Sequence, residues 1–280
     1  MSYRTILVHV DASRHADGRI SLAAQVANLC GAHLVGSAFS GVSRFAEAKA
    51  LEANWPQLAN ECEHLRQRAR TSLTLFDRIA AGAGVTSFEQ RLLDDDAEGG
   101  LLLQARYCDL MVLSQTDPNE TLPCVPRALP PHLLLHGGRP LLLAPHGGSA
   151  APVLPGRHAL LAWDGSNQAA RAFSDALPLL RQAGSATLCV LNAEQQPGRH
   201  GAEAGADMAL FLARHGVQVE LLREYTRADI GSALLSLAGE RQSDLLVMGG
   251  YGHQRAREVL LGGATRTVLQ DMQLPVLISH

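Results

Sequence analysis

Two short apolar runs, residues 5–11 and 158–164, each end in an aspartate, Asp11 and Asp164, and are each followed two positions on by a serine, Ser13 and Ser166. Downstream of both, strand and helix patterns alternate in the same order. Strand patterns fall at 32–39, 85–93, 109–114 and 140–144 in the first half, and at 186–192, 217–223, 244–248 and 275–279 in the second. A repeat with a period of about 150 residues therefore sets the fold. Strands that alternate with helices require right-handed crossovers and parallel sheets covered on both faces. The expected architecture is α/β: two tandem doubly wound, Rossmann-like domains, each a five-stranded parallel sheet. The first spans residues 1–146 and the second 157–280, and the Gly/Pro/Ser-rich stretch 147–156 links them.

Local signals place the helix ends. Ser13 and Ser166 are candidate N-caps, Gly31 stops the first helix, and Asp94–Asp96 suit the start of another. Pro56 interrupts a long helical pattern at 44–81. In doubly wound sheets, ligands sit beyond the carboxyl ends of the strands at the switch point. Asp11, Asp164 and Gly249 all stand at such ends.

The chain's 280 residues are 46% hydrophobic with a formal net charge of −3. That composition supplies ample core and, with no long basic run, argues against nucleic acid as a partner. Five cysteines, none in a C-x-x-C pair, suit a reducing compartment. No apolar run approaches the roughly 18 residues of a membrane span, and the N-terminus lacks a signal-peptide pattern. A cytoplasmic protein without a membrane partner is the expectation. Lys49 is the only lysine, so a Walker-type phosphate loop is excluded.

The most informative stretch is 244–263. A strand pattern ends in Gly249-Gly250-Tyr251-Gly252, continues through His253, Arg255 and Arg257, and reaches Gly262-Gly263. Glycines let backbone N–H groups point at a ligand beside a helix N-terminus, and a phosphate is the natural guest. A tight strand-to-helix turn with no ligand is the alternative. The spacing Gly249-x2-Gly252-x9-Gly262 resembles the nucleotide-binding signature of the universal stress protein family, Gly-x2-Gly-x9-Gly-Ser/Thr. Gly263 departs from it by standing where a hydroxyl is expected, with Thr265 two residues on. The endings Arg139-Pro140 and Leu274-Pro275 resemble the start of the family's last strand, so the resemblance extends over the chain as two tandem copies.

That resemblance implies a stress-response regulatory protein that binds an adenine nucleotide, ATP or AMP, in its C-terminal half. Asp164 would hold the nucleoside. The loop formed by Gly249, Gly250, Gly252, His253, Gly262 and Gly263 would hold the phosphates. It also implies an intrachain pseudo-dimer of the halves through the last strands, with homodimers of whole chains as a further expectation. Any ATP hydrolysis would be weak, because no nucleophile or base is placed. There is no G-x-G-x-x-G after either first strand and no G-x-S-x-G.

Two other readings stay open. In the first half, Ser114 to Asn119 replace the glycine loop, yet His9 and Asp11 share one side of a strand and could join a metal site for a hydrolase. His132 and His136, one helical turn apart, also have metal-compatible spacing. His280 is expected to face solvent or a partner. The last reading is an interaction protein with neither site in use.

Overall fold

The structure, a computed structural model, describes residues 2–41, 56–120, 129–146, 154, 156–195, 198–200, 202–251 and 263–280. Contacts divide the chain into two compact units, of which the first is Tyr3–Arg139 and the second includes Pro140–His280.

In the first unit the order is β1 (Thr5–Val10), α1 (Ala16–Cys30), β2 (His33–Phe39), α2 (Pro56–Gly82), β3 (Phe88–Leu93), α3 (Ala97–Ala105), β4 (Leu110–Ser114) and α4 (Leu129–His136). The strands lie in the order β3-β2-β1-β4, all parallel. Ile6, Leu7, Val8 and Val10 of β1 are all buried, as a central strand covered on both faces requires. The second unit runs β5 (Leu141–Ala144), β6 (His158–Ala162), α5 (Asn167–Leu180), β7 (Ser185–Leu191), α6 (Ala206–Arg214), β8 (Val219–Glu224), α7 (Ile230–Glu240), β9 (Leu245–Gly249), α8 (Gly263–Asp271) and β10 (Val276–Ser279). Its order β8-β7-β6-β9-β10 is again parallel. The succession β8-β7-β6-β9 therefore repeats β3-β2-β1-β4, the tandem doubly wound pattern expected from the sequence.

One strand adds to that pattern. β5, expected as the fifth strand of the first half, belongs by contacts to the second unit, where it runs antiparallel to β10 with Leu142 opposite Leu277. The contact boundary thus falls at Arg139/Pro140, ahead of the 147–156 stretch.

The caps are partly as anticipated. Ser166 Oγ accepts the N–H of Ala169 at 3.1 Å at the start of α5, and Asp96 accepts that of Gly99 at 2.7 Å at the start of α3. Ser13 does not cap α1: the N-cap falls two residues later, at His15, whose side chain makes no capping bond, while the Ser13 hydroxyl donates to Asp11 at 2.7 Å. Among the described residues no helix is long and apolar enough to cross a membrane.

Phe173 of α5 is fully buried against the second unit's sheet. Phe173→Ala is expected to cost about 3–5 kcal/mol through lost apolar contact and a cavity, seen as a lower urea midpoint for unfolding.

Candidate functional site

In the second unit the carboxyl ends of β6, β7 and β9 open into a cavity of about 350 Å³. Ala162, Trp163 and Asp164 line it from the β6 turn, Leu191 and Asn192 from β7, and Asp229, Ile230 and Leu234 from the start of α7. Met248, Gly249 and Tyr251 complete it from β9, with Gly263, Ala264 and Thr265 from the first turn of α8. The volume lies within the usual small-ligand range of about 300–1,000 Å³. It sits where a doubly wound sheet places its ligands, at the switch between the first strand and its oppositely wound neighbour.

Asp164 accepts the N–H of Ser166 at 3.0 Å through Oδ1, so it shapes the β6–α5 turn. Its side chain stays 43% exposed, and the nearest cation, Arg199 Nη1, stands 3.9 Å away. The carboxylate therefore keeps acceptor capacity toward the cavity. Asn192, by contrast, is committed to the scaffold. Its amide spans to the loop after β8, accepting from Thr226 N at 2.8 Å and donating to Thr226 O at 3.0 Å.

Of the glycines expected to bind phosphate, Gly249 and Gly263 line the cavity. Gly252, His253 and Gly262 lie outside the described residues, as do Arg255 and Arg257. Gly249 has a packing reason to be glycine: a Cβ there would come within 2.5 Å of the Ala169 backbone nitrogen, so the bare backbone lets the start of α5 close on the end of β9. Gly250 departs from its expected role as a phosphate donor. Its N–H donates to Ser279 O at 2.8 Å, prolonging the β9–β10 pairing, and is used up there. The next N–H, from Tyr251, goes to Thr265 Oγ1 at 3.3 Å. Tyr251 itself takes a left-handed φ of 56° and is 7% exposed, and its buried phenol oxygen has no hydrogen-bond partner among the described residues. His280 is not solvent-directed. Its ring packs edge-on toward Tyr251, and its Nδ1 lies 3.0 Å from the Gly250 carbonyl.

Sequence reasoning missed Trp163, Tyr251 and above all Asp229 as cavity residues. The available signal was positional, since Asp229 begins the helix after β8 and every strand-to-helix turn gathers at one edge of a parallel sheet.

The corresponding crevice of the first unit is built differently. Arg19, only 2% exposed, reaches Asp11 Oδ1 through Nη2 at 2.7 Å and Ser114 Oγ through Nη1 at 2.9 Å. Counting from the paired aspartates, Ala172 occupies the matching place in α5. Burial by itself would raise the Asp11 carboxyl, but the Arg19 charge, with His9 and Ser13 behind it, holds it well below the usual range. Asp117, expected in the stretch that replaces the glycine loop, is buried as well. It is bound by Arg14, by His15 at 2.8 Å and by the Asn119 N–H at 2.8 Å. The space left among these groups is about 40 Å³. A more open hollow of about 450 Å³ lies between residues 11–13 and α2, lined by His64, Gln67 and Arg68 among others.

His9 and Asp11 do come together, at 3.6 Å. A cation already shares that carboxylate, however, and among the described residues no group of three His, Cys, Asp or Glu side chains could hold a metal ion. His132 and His136 stack at 4.8 Å on α4, with Glu98 3.9 Å from His132. The arrangement around His9 and Asp11 is thus a closed ion-pair cluster, whereas the second unit carries an open crevice at the equivalent place.

Such a crevice in a 3-2-1-4-5 parallel sheet is where doubly wound domains place their ligands. Residues 156–280 match the family model described as the universal stress protein family. Over the whole chain, the fold is similar to a universal stress protein from Archaeoglobus fulgidus DSM 4304, with a TM-score of 0.70 at 13% identity, covering 98% of this chain and 97% of that one. It is also similar to a functionally unknown protein from Pseudomonas aeruginosa PAO1, with a TM-score of 0.57 at 17% identity, covering 99% and 92%. No curated protein matches the chain in sequence.

Two outcomes test the closed cluster. Arg19→Ala leaves Asp11 buried without its cation and is expected to destabilise the protein by about 3–5 kcal/mol, measured by chemical denaturation. His9 is buried, which lowers its pKa from 6.5 to about 4 despite the favourable pull of Asp11. Between those values the unfolded chain binds the extra proton and the folded one does not, so stability is complete above about pH 6.5 and falls as pH drops toward 4. The loss from this group reaches up to about 3 kcal/mol. Urea midpoints recorded from pH 7 to 4 should show this slope, and His9→Gln should flatten it.

Proposed function

We propose that the protein is a tandem universal stress protein that binds an adenine nucleotide in its second half and acts as a regulatory protein of the cytoplasm. The observation that carries this reading is the 350 Å³ cavity at the ends of β6 and β9, which gathers Asp164, Gly249 and Gly263 from three separate stretches of sequence. The half-exposed Asp164 carboxylate accepts hydrogens from the nucleoside. Met248, Leu234, Ile230 and Trp163 supply apolar and aromatic surface for a base. The N-terminal turn of α8 and the remaining glycines of the signature, Gly252 and Gly262, with His253, receive the phosphate end. Gly250 contributes by holding β9 to β10.

Residues 1–146 and 157–280 serve as the two repeats. With Asp11 bound to Arg19, the first is a partner domain, and the reading includes an intrachain pseudo-dimer of the halves. Pairing of whole chains is a further part of the proposal. Binding rather than turnover is the activity in this reading.

Mass spectrometry of the small molecules released by denaturing freshly purified, undialysed protein tests the reading. Adenine nucleotide near one per chain is expected, lost in Asp164→Ala and Gly252→Val and retained in Asp11→Asn. Protein that neither carries nor takes up adenosine, AMP or ATP would overturn it.

A further inference from the structure

The cavity's lining includes an exposed charge that the glycine signature gives no reason to expect. Asp229 caps α7, with Oδ1 accepting the Ser232 N–H at 3.0 Å. That contact, set against a modest cost of burial and helped by Thr267 and Ser232, holds its carboxyl below the usual range, so it is ionised at neutral pH. Its place is fixed by Gly231. A Cβ at that residue would lie 2.6 Å from Thr267 Cβ and 2.7 Å from the Ala264 carbonyl, so only a glycine lets the start of α7 close on the first turn of α8. As a result, Asp229 Oδ2 lies 3.7 Å from the point a Cβ on Gly263 would occupy. Gly263 lines the cavity and belongs to the glycine stretch that the nucleotide reading assigns to the phosphates. A carboxylate of the chain itself already stands there.

The second charged side chain of the described lining is Asp164, also a carboxylate. A metal-free triphosphate therefore brings its negative charges toward two fixed ones, an unfavourable like-charge arrangement, while a nucleoside or a monophosphate brings none or few. We propose that Asp229 is a built-in anion at the phosphate end of the cavity, and that the site takes an adenine nucleoside or its monophosphate in preference to the metal-free triphosphate. This rests on the nucleotide reading above and narrows its ligand class.

Isothermal titration of the full chain at low ionic strength, where screening of an exposed carboxylate is least, tests the proposal with adenosine, AMP and ATP, each in EDTA. The expected result is that adenosine or AMP binds at least about tenfold more tightly than ATP, and that magnesium narrows the gap by neutralising phosphate charge. Asp229→Asn and Asp229→Ser both retain a capping side chain, and circular dichroism melts would verify their folding. Each is expected to tighten ATP about tenfold and leave adenosine within about twofold. ATP in EDTA binding as tightly as adenosine, or a ratio unmoved in both variants, would overturn the role of Asp229 while leaving the nucleotide reading intact. Binding of none of the three ligands would overturn both.

Discussion

Parallel pairing is the constraint from which the site follows. A strand that must lie parallel to its predecessor needs a crossover, and the crossover helix puts every strand-to-helix turn at the same edge of the sheet. The ends of β6, β7 and β9 and the starts of α5, α7 and α8 are consequently neighbours although their residues span more than 100 positions. Helix N-termini and half-exposed turn side chains collect there because the topology leaves nowhere else for them. A crevice is the ordinary outcome, and what differs between the two units is how its polar groups are satisfied.

In the first unit they satisfy one another. Arg19 enters from α1 to meet Asp11 and Ser114, while Arg14 and His15 close on Asp117. Buried charges of this kind persist only when paired, and pairing fills the space in which a ligand would sit. In the second unit the residue matching Arg19 is Ala172, fully buried with no charge to offer. Asp164 is left facing an open volume, with Arg199 3.9 Å away. The arginine at this helical position, together with the Asp117 cluster, distinguishes the first unit's crevice from the second's.

The glycines of the second unit illustrate how a motif divides its labour in three dimensions. Gly249 admits the N-terminus of α5, Gly231 admits the first turn of α8, and the N–H of Gly250 extends a sheet ladder. Each is a backbone requirement of packing, met at the rim of the same cavity. Glycine spacing in a sequence therefore marks close approach first. Which approaches are made to a ligand depends on the N–H groups that the sheet and Thr265 have not already taken.

Much was legible in the sequence alone. The repeat, the alternation of strands and helices, the caps at Ser166 and Asp96, and the placing of Asp164 and Gly249 at strand ends follow from local periodicity and turn chemistry, which act over a few residues. Tertiary structure decided the rest: that Arg19 quenches Asp11, that Ser13 turns back to that carboxylate instead of capping α1, that β5 pairs with β10, and that Asp229 stands at Gly263. These are contacts between residues far apart in the chain or alternative partners for one side chain. A linear pattern fixes which groups each element offers, but only packing sets which of them come within hydrogen-bonding distance and so which are already satisfied when a ligand arrives.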